Sequence, residues 1–302
     1  MSGKSVLKFA ASLAYVDPSE LCEIARCADA NHWDTLVVSD HLVYPEKIET
    51  PYPYTPDGET RWDSQAPWPD PWVAIAAMAA VTERVRFLTG VYVLPLRDPF
   101  AVAKAVGTAA IMSHNRVSLG FGVGWMRDEF LLTGKRFEDR GKRTDEMIEV
   151  IRTLWKGGMV EFHGDHYDFE RLQMTPAPTQ TVPLIGGGLS RPALRRVGRV
   201  LDGWISDLHT ADELEKIIAE IRSYRAEFGR DDEPLQIIAA CRDAFGIDGY
   251  RRLEEIGVTH VLTMPWMFYS GASATLADKL EGLKRFAGEV IEPMSNHPPN
   301  AQ

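Results

Sequence analysis

Three stretches of the chain carry residues whose types and spacing suit chemistry. The first is "VPLIGGGLSRPALRR", residues 182–196, where three glycines lie between a short apolar run and a helix start. Glycine loses more backbone freedom on folding than any other residue, so a run of three needs a reason. Along Gly186, Gly187, Gly188 and Leu189, backbone N–H groups can approach a ligand with few side chains in the way. Ser190 can then cap a helix that tolerates Pro192 in its first turn. A helix N-terminus adds free donors and about half a positive charge, which together make an anion or phosphate site. The competing reading is a tight strand-to-helix turn that only needs positive φ angles.

The second stretch, "LGFGVGWMRDEF" (119–130), alternates Gly120, Gly122 and Gly124 along a strand and ends on Trp125. Small residues on one strand face would leave room for a flat ring, or would simply pack closely in a core. A dinucleotide fingerprint needs G-x-G-x-x-G at a strand-to-helix turn, and the spacing here is G-x-G-x-G, before any strong helix. The third stretch is "LVVSDHL" (36–42), which sets Asp40 and His41 at the end of an apolar strand. A histidine there can hold or supply a proton near neutral pH, or can be structural. His163 and His166 resemble a metal pair, but the Gly164-Asp165 between them is turn chemistry and no further ligands stand at recognisable spacing. No metal site is expected.

The elements that must position these residues alternate. Strands are expected at "LKFAASL", "TLVVSD", "VRFLTGVYVL", "RVSLGFGVG", "PLIGGG", "DGWISD", "LQIIAAC" and "HVLTMPW". Helical stretches lie between them, such as "PSELCEIARCADAN" and "DPFAVAKAVGTAAIM". The clearest is "DRGKRTDEMIEVIRTLWKGG", where Met147, Ile151 and Leu154 share a face and Gly157-Gly158 closes the helix. Eight strand–helix units predict a closed (β/α)8 TIM barrel over residues 1–302 as one domain, with an open doubly wound sheet as the alternative. Two connections exceed a simple loop. One follows the second strand and carries Tyr44, Tyr52, Tyr54, Trp62, Trp68 and Trp72 among many prolines. In a barrel it would lie on the active-site face, or serve as a stiffened cover or subunit contact. The other, between the fourth helix and the fifth strand, reads as a hairpin turning at Gly164-Asp165.

Bulk properties narrow the partners. The 302 residues carry a net charge of −10, which disfavours nucleic acid and anionic membranes. The longest apolar run, "VAIAAMAAV", is too short to cross a bilayer. Three cysteines without a C-x-x-C pair fit a reduced, cytoplasmic protein.

Taken in order, "VVSDHL", "LTGVYVLPLRDPFAVAKAVGT", "RVSLGFGVGW", "RTDEMIEVIRTLW", "PLIGGGLSRPALRR" and "DGWI" resemble the luciferase-like oxidoreductases, most closely the branch that uses the deazaflavin coenzyme F420. The resemblance implies a (β/α)8 barrel with the cofactor ring at its C-terminal mouth. It places the phosphate at Gly186–Ser190, a non-proline cis peptide at Gly90–Val91 behind the ring, and Asp40 and His41 at the ring's reactive edge. Gly122, Gly124 and Trp125 then line the same mouth. The glucose-6-phosphate-oxidising members have an acid in a "GTGE" motif where this chain reads "GVGWMRDE", so their substrate and catalytic glutamate do not carry over. The expected activity is hydride transfer between F420 and a small, apolar or ring-bearing substrate, with His41 handling the proton and Arg127 and Arg191 near the exit for the cofactor tail. An FMN-dependent monooxygenase, or a non-enzymatic carrier or sensor, remains the alternative. A homodimer is expected.

Overall fold

The structure is a computed structural model and describes residues 6–296; the outermost residues of the expected domain lie outside it. Its main sheet is parallel and closed. The strands are β1 (Lys8–Ser12), β2 (Thr35–Val38), β3 (Arg86–Thr89) with its continuation β4 (Tyr92–Val93), and β5 (Val117–Gly122). A separate antiparallel hairpin follows, β6 (Val160–His163) and β7 (Asp168–Leu172). The barrel then resumes with β8 (Leu184–Gly187), β9 (Gly203–His209), β10 (Gln236–Cys241) and β11 (His260–Thr263). Neighbouring strands pair in sequence order, β8 pairs with β5, and β1 pairs with β11, which joins the two ends. Counting β3 and β4 as one interrupted strand, eight strands close the expected TIM barrel.

The helices are α1 (Leu21–Ala30), α2 (Pro71–Ala79), α3 (Pro99–Met112), α4 (Arg127–Leu132), α5 (Arg140–Trp155), α6 (Arg191–Val200), α7 (Ala211–Glu227), α8 (Gly246–Ile256), α9 (Pro265–Tyr269), α10 (Leu276–Phe286) and α11 (Glu292–Asn296). Local chemistry starts and stops them. Asp70 and Asp98 each accept two backbone N–H groups at the starts of α2 and α3, with proline in the first turn of both helices. Thr210 and Glu213 form a reciprocal cap on α7. Gly157 and Gly158, both at φ +71°, follow the end of α5, as the sequence predicts.

Strand alternation divides the core in two. One apolar set, Ala10, Val37, Leu88, Ile185, Ile205 and Ile238, fills the barrel interior with Val91 and Leu262 against it. The other faces of the strands pack on the helices, where Phe9, Phe87, Phe121 and Trp204 are among the fully buried side chains. The interior plug closes the lower barrel, so open space is left toward the C-terminal ends of the strands. Both long connections take the forms expected: the loop of residues 39–70 covers that end, and the hairpin turns at residues 164–167.

Candidate active site

At the C-terminal ends of the strands lies a cavity of about 1000 Å³. The sequence-predicted residues Asp40, His41, Gly90, Val91, Gly122, Gly124, Trp125, Gly187, Gly188, Leu189 and Ser190 all line it. Gly186 does not. Adjacent strand residues point to opposite faces, and a Cβ at Gly186 would meet Leu201 and Val197 at 2.6 and 3.1 Å on the helix side of the wall. Gly186 therefore serves the packing of α6 on the barrel.

The other glycines also have close neighbours that leave no space for a side chain. The peptide Gly90–Val91 is cis. A Cβ at Gly120 would lie 1.9 Å from the Thr89 carbonyl oxygen, and Thr89 Oγ1 donates to the Gly120 carbonyl at 2.6 Å. The two methyls of Val91 sit against Gly122 and Gly187, where a Cβ would come within 3.0 and 2.9 Å. So Gly120, Gly122 and Gly187 accommodate the irregular segment 89–91. Gly188 differs: it adopts φ +99°, and a Cβ there would meet Ala193 at 3.4 Å. Beyond it, Ser190 Oγ caps α6 by accepting from Ala193 N, and Trp204 Nε1 donates to the Gly188 carbonyl at 3.0 Å. The N–H groups of Leu189 and Ser190 have no acceptor among the described residues.

Asp40 and His41 are neighbours with different surroundings. Asp40 is buried and held by both terminal nitrogens of Arg97 at 2.7 Å, with Val93 N donating at 2.9 Å. Burial pushes its carboxyl above the usual range against the pull of Arg97 and Val93 N–H. With its oxygens so engaged, Asp40 acts as an anchor that joins the second strand to residues 93–97. His41 sits among Trp62, Trp68 and Trp125, with ring centroids 4.9, 5.0 and 6.1 Å away. Its Nδ1 lies 3.3 Å from an oxygen of Glu129, which is 1% exposed.

The long loop supplies Tyr52, Tyr54, Arg61, Trp62 and Trp68 to the cavity wall, and Tyr15, Phe245, Met264, Met267 and Phe268 extend the apolar lining. Arg61 fastens the loop to Asp207 of β9. Among the sequence-predicted tail contacts, Arg127 pairs with Glu138 on the surface, and neither it nor the exposed Arg191 lines the cavity. Arg140 and Arg242 line it instead. Arg140 donates to the carbonyls of Gly124 and Phe137, and Arg242 pairs with Glu213.

Arg97, Glu129, Arg140 and Arg242 were not legible as site residues. Glu129 has one available signal: it is an acid a few residues past the glycine strand, in the first turn of α4, a helix too short for hydrophobic periodicity to reveal. On the hairpin, His163 pairs with Asp168 and lies near Glu161 and Glu170, whereas His166 is not in that exposed group.

Residues 6–268 match the family described as luciferase-like monooxygenase. The chain belongs to that family. An uncharacterized protein of Mycobacterium tuberculosis is 38% identical over 287 residues, covering 94% of this chain and 99% of its own length. An F420-dependent glucose-6-phosphate dehydrogenase of Nakamurella multipartita is 28% identical over 252 residues, covering 82% of this chain and 70% of its own. In fold, the chain resembles an F420-dependent secondary alcohol dehydrogenase solved with an F420–acetone adduct, with a TM-score of 0.74, 18% identity and coverage of 96% and 99%. This family member is an oxidoreductase. Among the described residues, no helix is long and apolar enough to cross a membrane.

Proposed function

We propose that the protein transfers a hydride between coenzyme F420 and a small, apolar or ring-bearing organic substrate. The observation that carries this reading is the placement of His41 on the wall of one cavity that also contains the Gly188–Ser190 turn. A phosphate fits that turn: Gly188 leaves the approach clear of a side chain, and Leu189 and Ser190 offer N–H groups ahead of the α6 N-terminus. Arg140 and Arg242 put positive charge on the cavity wall, which suits the anionic tail that distinguishes F420 from FMN. The named relatives point to the same cofactor.

When bound, the deazaflavin supplies or accepts a hydride at the ring carbon that replaces a flavin's reactive nitrogen. The chain's own residues do the rest. His41 holds or moves the accompanying proton at an imidazole nitrogen. Trp62, Trp68 and Trp125 enclose that imidazole, and together with Tyr52 they make a site that excludes water and favours apolar or aromatic surfaces. A homodimer accompanies this proposal: α2 and α3 are apolar on nearly all faces, yet leave Val73 and Met112 71% and 56% exposed.

The test is titration of the purified protein with F420 and with FMN separately, followed by absorbance, then turnover with F420H2 and unsaturated or carbonyl acceptors. Binding of F420 and acceptor reduction without oxygen consumption is expected. Tight FMN binding with oxygen-dependent product, and no F420 binding, would replace this reading with FMN-dependent monooxygenation.

A further inference from the structure

Resting on the proposed proton-handling role of His41, we infer that Glu129 is the residue that positions it. One carboxylate oxygen of Glu129 accepts the Leu42 backbone N–H at 2.8 Å and lies 3.3 Å from His41 Nδ1. With Glu129 as the acceptor, the inferred arrangement has hydrogen on Nδ1. That tautomer leaves Nε2 as the nitrogen that exchanges a proton with a substrate. The same oxygen ties the imidazole to the backbone of the next residue, so the ring and the start of the long loop share one anchor.

The burial of Glu129 argues that its charge matters. Its side chain is 1% exposed, and among the described residues the one ion-pair partner it has is His41. Asp40, close by, has an arginine to itself. Burying a carboxylate without a fixed cation is costly. The Leu42 N–H alone would be satisfied by any neutral carbonyl, so loop structure does not require a carboxylate there. An imidazole that takes up a proton during turnover does, because the charge then gains a partner inside a site closed off from water. Glu129 is also outside the cavity lining, so it reaches the reacting atoms through His41. Its source differs from the family's "GTGE" acid: the corresponding position here is Trp125, and Glu129 comes from the first turn of α4.

Glu129→Gln keeps the oxygen and the shape and removes the charge. The expected result is a kcat lower by about 10–100-fold, the usual range for losing an outer partner of a working histidine. KM and F420 affinity should stay within about twofold, with a melting temperature no lower than that of the parent. In the double variant His41→Ala/Glu129→Gln, turnover should equal that of His41→Ala alone, because the effect of Glu129 passes through the imidazole. Nitrogen-15 NMR of the His41 ring in the cofactor-free protein should show hydrogen on Nδ1, and the Nδ1–H preference should weaken in Glu129→Gln. An unchanged kcat in Glu129→Gln, an equal further loss on top of His41→Ala, or hydrogen on Nε2 would each overturn the inference. The NMR result is independent of the cofactor. If FMN rather than F420 binds, the proposed function fails while the Glu129–His41 relation is still decided.

Discussion

Arg61 places its two terminal nitrogens on the two carboxylate oxygens of Asp207, at 2.7 and 2.9 Å. The pair joins the middle of the long aromatic loop to β9, across the cavity mouth, and a further bond from Arg61 to the Tyr54 carbonyl stiffens the loop itself. The Arg61 side chain is 35% exposed and that of Asp207 26%, so the contact contributes little to global stability. Its effect is local. Arg61→Ala should speed proteolytic cleavage within residues 43–70 several-fold and raise KM more than it lowers kcat, while the melting temperature moves by no more than about 1 °C. Unaltered cleavage of the loop would show that the aromatic packing holds it without the pair.

His41→Ala should lower kcat by about 10²–10⁴, the range for losing a general acid–base group, with cofactor affinity falling much less. Steady-state kinetics alongside a cofactor titration checks both halves. Normal turnover would return His41 to a structural role.

Gly188→Val should weaken cofactor binding at least tenfold, about 1.4 kcal/mol. The left-handed backbone at φ +99° resists a β-branched residue, and the new side chain stands at the approach to the Leu189 and Ser190 N–H groups. Comparing the cofactor Kd with the melting temperature of the cofactor-free variant separates lost affinity from lost fold. A folded variant with parental affinity would leave this glycine as a turn residue only.

Arg97→Ala should be among the most damaging single changes. It strips both nitrogens from the buried Asp40, and removing one member of a buried pair costs about 3–5 kcal/mol. Arg97→Ala/Asp40→Asn should recover part of that loss in chemical denaturation, because the uncompensated charge is gone. A double variant as unstable as Arg97→Ala would show that the guanidinium acts through its stacking on Tyr92 instead.

At the opposite end of the barrel, Asp34 sets an acid limit. Burial works to raise its carboxyl, but the hydrogen bond and charge of His260, with Lys8 and Thr35, outweigh it and hold it well below the usual carboxylate range. A depressed carboxyl stabilises the fold above its unfolded value near about 3.9 and loses that contribution as pH falls through its folded value. Asp34→Asn should therefore melt a few degrees lower than the parent at pH 7, and the gap should shrink below about pH 4. A gap that stays constant with pH would rule out the ionic contribution.

The barrel was readable because its signals are local and repeated: apolar runs such as "TLVVSD" and "LQIIAAC" ending at turn residues, each followed by an amphipathic stretch. The cavity-lining positions on β5 and β8 followed from the glycines and from their place at strand ends. Their reasons did not. Gly186 and Gly187 are indistinguishable as residues, yet one faces α6 and the other Val91, and only the register of β8 decides which. The ion pairs were hidden for another cause. Arg97 and Asp40 are 57 residues apart, Arg61 and Asp207 146, and Glu129 and His41 88, so no spacing rule connects them. Arg127 and Arg191 are plausible by position along the chain, but Arg127 turns to Glu138 on the surface and Arg191 is exposed, while Arg140 and Arg242 line the cavity.

The glycines beside segment 89–91 have a bearing on how this wall of the barrel can change. Gly120 makes way for the Thr89 carbonyl, and Gly122 and Gly187 flank the two methyls of Val91. Three strands thus share one interlock, and each position is acceptable only given the others. Adding a methyl at residue 120 demands a shift of the neighbouring backbone, whereas trimming Val91 to alanine vacates two slots at once. Mutagenesis that samples one position at a time will see each of these sites as intolerant. Libraries that vary 91, 122 and 187 together could exchange bulk between them, moving the contour of the cavity floor while leaving the His41 side of the chamber untouched.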